Sequence, residues 1–170
     1  MEILLPADRI QERVATMAAQ IARDYHGRPV TIVGVLTGSI MFLADLVRHL
    51  DLPLRIDLIQ ASSYRGAATT PGQLRISPDL VPDVRGRHVL LLDDILDTGQ
   101  TLGYLTQHLR ELGAASVRVA VLLRKVGRQQ VHLEPDYCGF DIPDHFVVGY
   151  GLDFNDEYRH LPYVAVLPSQ

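Results

Sequence analysis

The sequence predicts an α/β fold, with a central, mostly parallel sheet flanked by helices. Three observations point there. Residues 89–92, Val-Leu-Leu-Leu, form a short apolar run that follows Gly86 and enters two adjacent acids, as a strand buried on both faces does. A strand–loop–helix pattern occurs twice, once over residues 30–50 and again over 88–112. Residues 116–123, apolar from Val119 to Leu123, then read as another buried strand.

In chain order, residues 7–26 read as a helix. Ile10, Val14, Met17 and Ile21 share one face, Asp8 stands where an N-cap is expected, and Gly27 ends the run. Pro29 precedes a strand over 30–36. Thr37-Gly38-Ser39 is a tight loop, and 40–50 is a second helix with Phe42, Leu43, Leu46, Val47 and Leu50 apolar. Residues 54–61 read as a third strand. Residues 62–72 are rich in Ser, Thr, Gly, Ala and Pro, the composition of a mobile loop. A short return strand follows over 73–77, then a turn-rich connection over 78–86. After the strand at 88–92, Leu102, Leu105, Leu109 and Leu112 form a helical stripe closed by Gly113. Arg124-Lys125-Val126-Gly127-Arg128 reads as a basic loop after the 116–123 strand. Short strands remain at 137–140, 146–150 and 163–167, broken by Pro135, Pro143 and Pro162. This tail is expected to fold over the sheet and cover the site.

Both strand–loop–helix units place their loops at strand carboxyl ends, where open α/β sheets hold ligands. Asp97, Thr98, Gly99, Gln100 and Thr101 lead into a helix N-terminus, whose free N–H groups and dipole favour an anion. Gly99 lets the backbone approach it, and the two threonines add hydroxyls. Asp93 and Asp94 cannot hold a phosphate. They can accept hydrogen bonds from vicinal hydroxyls or help hold hydrated Mg²⁺. Phosphate at one end and a diol or Mg²⁺ at the other describe a sugar phosphate.

Composition narrows the field. Hydrophobic residues are 47% and charged residues 21% of the 170, as in a single globular domain. The net charge of −4 comes without a basic block, which argues against nucleic acid as a partner. The lone Cys138 excludes an internal disulfide and fits a reducing compartment. No apolar run is long enough to span a membrane, and the N-terminus has no basic region before an apolar one, so a cytoplasmic location is expected. No His pair or Cys–His spacing suggests a transition metal. Neither GxxxxGK[ST] nor GxGxxG occurs, which sets aside P-loop and dinucleotide-binding modules. A phospho-acceptor receiver domain would carry its acidic pair after the first strand, not deep in the chain.

Residues 89–102 resemble the phosphoribosyl-diphosphate (PRPP) motif of type I phosphoribosyltransferases, in which hydrophobic residues precede two acids and an acid-Thr-Gly-x-Thr segment. The likeness extends over nearly the whole chain and is nearest to the hypoxanthine (hypoxanthine-guanine) branch. Gly34-Val35-Leu36-Thr37-Gly38-Ser39 with Met41-Phe42-Leu43-Ala44-Asp45-Leu46 is similar to that branch's first active-site loop and helix. Ser62-Ser63-Tyr64 looks like the start of its lid, and Leu122-Leu123-Arg124-Lys125 like the strand end carrying its base-recognition lysine. Residues 137–153 and Arg159-His160-Leu161-Pro162-Tyr163 resemble its purine-binding tail. The resemblance implies the type I phosphoribosyltransferase fold over residues 1–170 as one domain. Its core spans about 28–126, and its small hood is formed from about 127–170 with the N-terminal segment.

The implied activity is purine salvage: transfer of the phosphoribosyl group from PRPP to hypoxanthine, and to guanine, giving the nucleotide and diphosphate. Mg²⁺ is the implied cofactor, and a homodimer or homotetramer the implied assembly, with Met1–Leu5 and the 40–50 helix as contact faces. Asp93 and Asp94 would bind ribose hydroxyls, directly or through Mg²⁺. Asp97 would be the general base at the purine imidazole. Thr98, Gly99, Gln100 and Thr101 would cradle the 5′-phosphate. Thr37 and Gly38 would bind diphosphate through backbone N–H groups, joined by Arg159. Lys125 would donate to the purine O6. Phe146 would stack on the ring, the Val147 backbone would bond its edge, and Leu152 would pack on its other face. Asp153 would hold a second Mg²⁺, and Ser63 and Tyr64 would close over the site.

Three positions depart from the family's pattern, one of them Arg65, where many relatives have Gly directly after the Tyr. Asp93 stands where Glu is more frequent, and Thr37 where Lys is frequent, so charge there would have to come from Arg65 or Arg159. Two alternatives share the fold: a xanthine- or guanine-preferring enzyme, and a PRPP-sensing regulator. An RNA-binding regulator would show a basic face, and this chain, at −4, keeps Asp97, Lys125 and Asp153.

Overall fold

The structure is a computed structural model of the chain, and it describes residues 1–63 and 74–169. Nine strands and three helices are assigned among these residues. β2 (Val30–Leu36), β3 (Leu54–Ser63), β5 (His88–Leu96), β6 (Ser116–Lys125) and β7 (Tyr137–Ile142) run parallel in the order β3-β2-β5-β6-β7. The short β4 (Leu74–Ile76) pairs antiparallel at the β3 edge. The main sheet thus takes in Tyr137–Ile142, which the sequence reading gave to the tail.

Burial on both faces explains the apolar runs. Val89, Leu90, Leu91 and Leu92 are all fully buried, and their alternating side chains feed two cores on opposite sides of the sheet. One core takes Leu90 and Leu92 with α1 (Ala7–Tyr25) and α2 (Ile40–Val47). The other takes Val89 and Leu91 with α3 (Gln100–Glu111).

A second, three-stranded antiparallel sheet has the order β1-β9-β8, built from β1 (Glu2–Leu5), β8 (Val147–Val148) and β9 (Val164–Val166). It joins the N-terminus to the tail.

Helix α1 begins at Ala7, as its sequence suggests, but its cap is not Asp8. The Ile10 N–H donates to the Pro6 carbonyl at 3.1 Å, so Pro6 is the cap and Asp8 sits in the first turn, where its charge favours the dipole. Helix α2 stops at Val47, not Leu50, because its last turn tightens: His49 and Leu50 donate three residues back to Leu46 and Val47. Strand β6 runs through Lys125, so that lysine is held by a strand and not by a loop.

Candidate active site

Strands β2 and β5 are adjacent, yet the chain leaves them in opposite directions, β2 towards β3 and β5 towards β6. That divergence opens a crevice at their carboxyl ends. The loops that rim it are Thr37-Gly38-Ser39 before α2 and Asp97-Thr98-Gly99 before α3. In the first loop Ser39 is fully buried, and its hydroxyl donates to the Val35 carbonyl at 2.6 Å. Thr37 beside it is exposed.

The acidic pair lies within the carboxyl half of β5, which runs on past the apolar run to Leu96. Asp93 is 9% exposed, and its Oδ1 accepts the Asp94 N–H at 2.8 Å. Asp94 in turn accepts the Ile95 N–H at 2.8 Å. Burial raises Asp93 well above the ordinary carboxylate range, and the neighbouring Asp94 charge adds to the rise. Burial raises Asp94 as well, opposed by hydrogen bonds from its neighbours and by the positive charge of Arg159. Two carboxylates held in this way favour a cation or hydroxyl donors between them and the solvent.

A cleft of about 230 Å³ continues from this pair along Ile95, Leu96, Asp97, Thr98, Gly99, Thr101 and Leu102. Gly99 caps α3 with a left-handed φ of 86° and offers no side-chain cap, so the first N–H groups of the helix lack intrahelical partners. A Cβ there would also stand 2.9 Å from the Val131 carbonyl oxygen. That segment is fixed by two donors to the Thr98 carbonyl, Gln130 N–H at 2.8 Å and Val131 N–H at 3.1 Å. The side chain of Gln100 reaches Gln130 at 2.6 Å. The Thr98 hydroxyl meets the Gln100 N–H only at 3.4 Å, so Thr98 is not a tight helix cap.

Asp97 faces two cations. Arg128 Nε donates to its Oδ1 at 2.9 Å, and Lys125 Nζ stands 3.8 Å from its Oδ2. Asp144 lies beyond, 3.6 Å from Lys125 and 3.8 Å from Arg128. Sequence reasoning gave Arg128 no role and overlooked Asp144. The basic loop was visible, but the pairing joins three segments that only the folded sheet brings together. Arg124, next to Lys125, points elsewhere and pairs with Asp141 at 2.6 Å and Glu134 at 2.9 Å.

The tail supplies the remaining wall. Gly151 packs on Gly38, its φ of 97° placing it where a Cβ would strike the Gly38 carbonyl oxygen. The Gly151 N–H donates to the Arg159 carbonyl at 2.9 Å, and Arg159 Nη1 returns a bond to the Gly151 carbonyl at 2.6 Å. Arg159 also stands 3.4 Å from Asp153 and 3.3 Å from Asp156. Phe146 is 51% exposed and meets Phe154 edge-on at 5.6 Å, beside a cleft of about 460 Å³. The Leu167 N–H donates to the Phe146 carbonyl at 2.9 Å, so the next pair, Val147 with Val166, is the non-hydrogen-bonded kind. The Val147 backbone groups therefore turn away from β9. Leu152 is buried and joins the larger core. Ser63 ends β3 opposite Leu74, while Tyr64 and Arg65 lie outside the described residues.

Among the described residues no group of three or more His, Cys, Asp or Glu side chains could hold a metal ion. Mg²⁺ is compatible with that arrangement. It commonly keeps several waters and uses one or two carboxylates together with substrate oxygens. The elevated Asp93–Asp94 pair fits such a partner, and Asp153 could serve if Arg159 turned to an anion. Among the described residues no helix is long and apolar enough to cross a membrane.

Comparison with known proteins agrees with this geometry. Residues 2–155 match the model of the phosphoribosyl transferase domain. The chain is 44% identical to the hypoxanthine-guanine phosphoribosyltransferase of Streptococcus pneumoniae, over 99% of this chain and 94% of that protein. It is 41% identical to the Staphylococcus aureus protein of the same name, with the same coverage. Among solved structures, a Bacillus anthracis hypoxanthine-guanine phosphoribosyltransferase with a HEPES molecule in its active site superposes with a TM-score of 0.92 at 38% identity, covering 99% of each chain.

Proposed function

The chain belongs to the phosphoribosyl transferase family, and from that premise we propose that it is a purine-salvage enzyme that transfers the phosphoribosyl group of PRPP to hypoxanthine, and also to guanine. The observation that carries the reading is the pairing of Asp97 with Lys125 beside the anion-binding start of α3. A base and a hydrogen-bond donor then stand together, next to a cradle for the 5′-phosphate. A lysine has donors only, so it accepts a 6-oxo group and rejects a 6-amino group. Asp97 takes the proton from the purine imidazole as the sugar passes through an oxocarbenium-like state.

Other residues supply binding and shielding. The N–H groups of Gly99, Gln100 and Thr101, with the Thr98 and Thr101 hydroxyls, hold the 5′-phosphate. Asp93 and Asp94 take the ribose hydroxyls. The Thr37 and Gly38 backbone and Arg159 hold the leaving diphosphate, for which a guanidinium fork is suited. Phe146 stacks on the purine, the Val147 backbone bonds its edge and Leu152 lies behind it. Ser63 and Tyr64 close over the reacting centre and exclude water. Mg²⁺ would be held by Asp93 and Asp94, and by Asp153, and when bound it neutralises the charge of the diphosphate.

The apolar surface around Ile40, Met41 and Ile56, each between 37% and 52% exposed, supports a homodimer or homotetramer; a monomer by light scattering would remove that part. The single Cys138 supports a cytoplasmic setting.

The test is a coupled assay with PRPP and Mg²⁺ against hypoxanthine, guanine, xanthine and adenine separately. Turnover of hypoxanthine or guanine but not adenine is expected. PRPP binding without turnover of any base would instead indicate a regulator, and a marked preference for xanthine would indicate the other relative.

A further inference from the structure

The two acids and two cations around Asp97 form an alternating square. They come from the end of β5 (Asp97), the end of β6 and its following turn (Lys125, Arg128), and the turn before β8 (Asp144). Each acid faces both cations, so the four charges sum to zero. The four contacts are not alike. Arg128 to Asp97, at 2.9 Å, is a hydrogen bond. Lys125 stands 3.8 Å from Asp97 and 3.6 Å from Asp144, beyond hydrogen-bond reach of either. The ammonium is thus suspended between two carboxylates with neither committed to it. Its side chain is only 12% exposed, so it is shielded from solvent as well.

A lysine that must donate to a purine oxygen meets a difficulty here. The nearest strong acceptor is Asp97, the group that must stay open to take the imidazole proton. With no counterweight the ammonium would close onto Asp97 and disable both groups at once. Asp144 stands opposite and supplies the counterweight. Arg128 meanwhile ties one oxygen of Asp97, Oδ1, which restrains the carboxylate and leaves Oδ2 without a hydrogen bond from either cation.

We infer that Asp144 and Arg128 are positioning residues of the purine half-site: Asp144 holds Lys125 off Asp97, and Arg128 fixes the Asp97 carboxylate for proton transfer. The inference rests on the proposed phosphoribosyl transfer to a 6-oxopurine. Neither residue need touch the substrate, and the PRPP half of the site does not depend on them.

The test is steady-state kinetics of the full chain carrying Asp144→Asn, Asp144→Glu, Arg128→Gln or Arg128→Lys. Asp144 is 53% and Arg128 44% exposed at the side chain, so these substitutions leave the core intact. Asp144→Asn should raise the KM for hypoxanthine and lower kcat, each by about tenfold, with the KM for PRPP unchanged. Asp144→Glu, which keeps the charge, should recover most of the loss. Arg128→Gln should lower kcat about tenfold with little change in either KM, and Arg128→Lys should restore it only in part, since an ammonium lacks the planar Nε donor. A structural role would instead change both KM values and the melting temperature together, without rescue. Variants equal to the wild type, or a parallel rise in the KM for PRPP, would overturn the inference and leave the proposed reaction standing. A wild-type protein that turned over no purine base would remove both.

Discussion

The Asp94 carboxylate rests on Gly38, in the space that a Cβ at position 38 would fill. The acidic pair in the carboxyl half of β5 and the loop after β2 are therefore one packed unit across the mouth of the crevice. Gly151 closes on the other side of Gly38. Gly38→Ala should displace Asp94 and the loop together. The expected result is a loss of activity of about a hundredfold or more, carried by the KM for PRPP, with only modest loss of stability because the site is at a strand end. Kinetics alongside a thermal melt check this. Near-normal activity would show that the loop tolerates the shift.

Asp93 and Asp94 make stability depend on pH in a particular direction. Burial raises both above their ordinary values in the folded protein. Between the unfolded carboxylate value, about 3.9, and the raised folded value, the folded state binds more protons than the unfolded one, so stability falls as pH rises through that window. Asp93→Asn keeps an oxygen to accept the Asp94 N–H and removes one buried charge. The variant should melt a few degrees higher than the wild type at neutral pH, match it near pH 4, and lose most activity. Melting curves across pH measure this, and a variant that melts lower at neutral pH would contradict it.

Asp97→Asn should reduce turnover by about 10² to 10⁴, the range for removal of a positioned general base, while PRPP binding measured by calorimetry stays within twofold or so. The substitution also leaves Arg128 and Lys125 with one shared anion, Asp144, in place of two, but these contacts are partly exposed and little stability should be lost. Unchanged turnover would take the base role away from Asp97.

The parts of this fold written in local sequence were legible, and the parts that depend on distant pairing were not. The buried strands and the loops behind them announce themselves through apolar runs and short polar loops, so β2 and α3 fall close to their expected ranges, while β5 runs four residues past the apolar run to Leu96 and carries the acidic pair within it. Strand β1 is four residues long and half exposed, and it becomes a strand only because Val164–Val166 lies beside it at the far end of the chain. Ile142 was set apart from the sheet by Pro143, yet pairing with Lys125 extends β7 to it. In the site, Asp97 and Lys125 carry recognisable neighbours. Asp144 has no local signal, because its meaning lies in two cations that are remote in sequence.

Thr37 is exposed on the loop proposed to receive the diphosphate, with its carbonyl capping the first turn of α2 through Ile40 at 3.2 Å. Its side chain is free of that bond, so Thr37→Lys adds a cation without removing a backbone contact. The KM for PRPP should fall about three- to tenfold, equivalent to roughly 1 kcal/mol, with a smaller change in kcat. The gain should shrink at high salt, because an exposed charge is screened. A KM unchanged at low salt would mean that Arg159 already supplies the charge the diphosphate needs.

Tyr150 ties the tail to α2. Its hydroxyl donates to Asp45 at 2.5 Å, and the same carboxylate oxygen accepts from Gln11 of α1 at 2.9 Å. Burial, then the bond to Asp45, pushes the tyrosine's proton loss well above its ordinary range, while the surrounding donors hold Asp45 below its own despite partial burial. Tyr150→Phe keeps the buried ring and removes the bond, at a cost of about 1–2 kcal/mol. Helix α2 begins directly behind Thr37-Gly38, and Tyr150 directly precedes Gly151, which packs on Gly38. The loss should therefore reach the diphosphate side, raising the KM for PRPP severalfold while the KM for hypoxanthine stays constant. Asp45→Asn should weaken the same bond less, because the amide oxygen still accepts. If Tyr150→Phe lowers the melting temperature yet leaves both KM values alone, the tail is held against the loop by the glycine contact without help from this hydrogen bond.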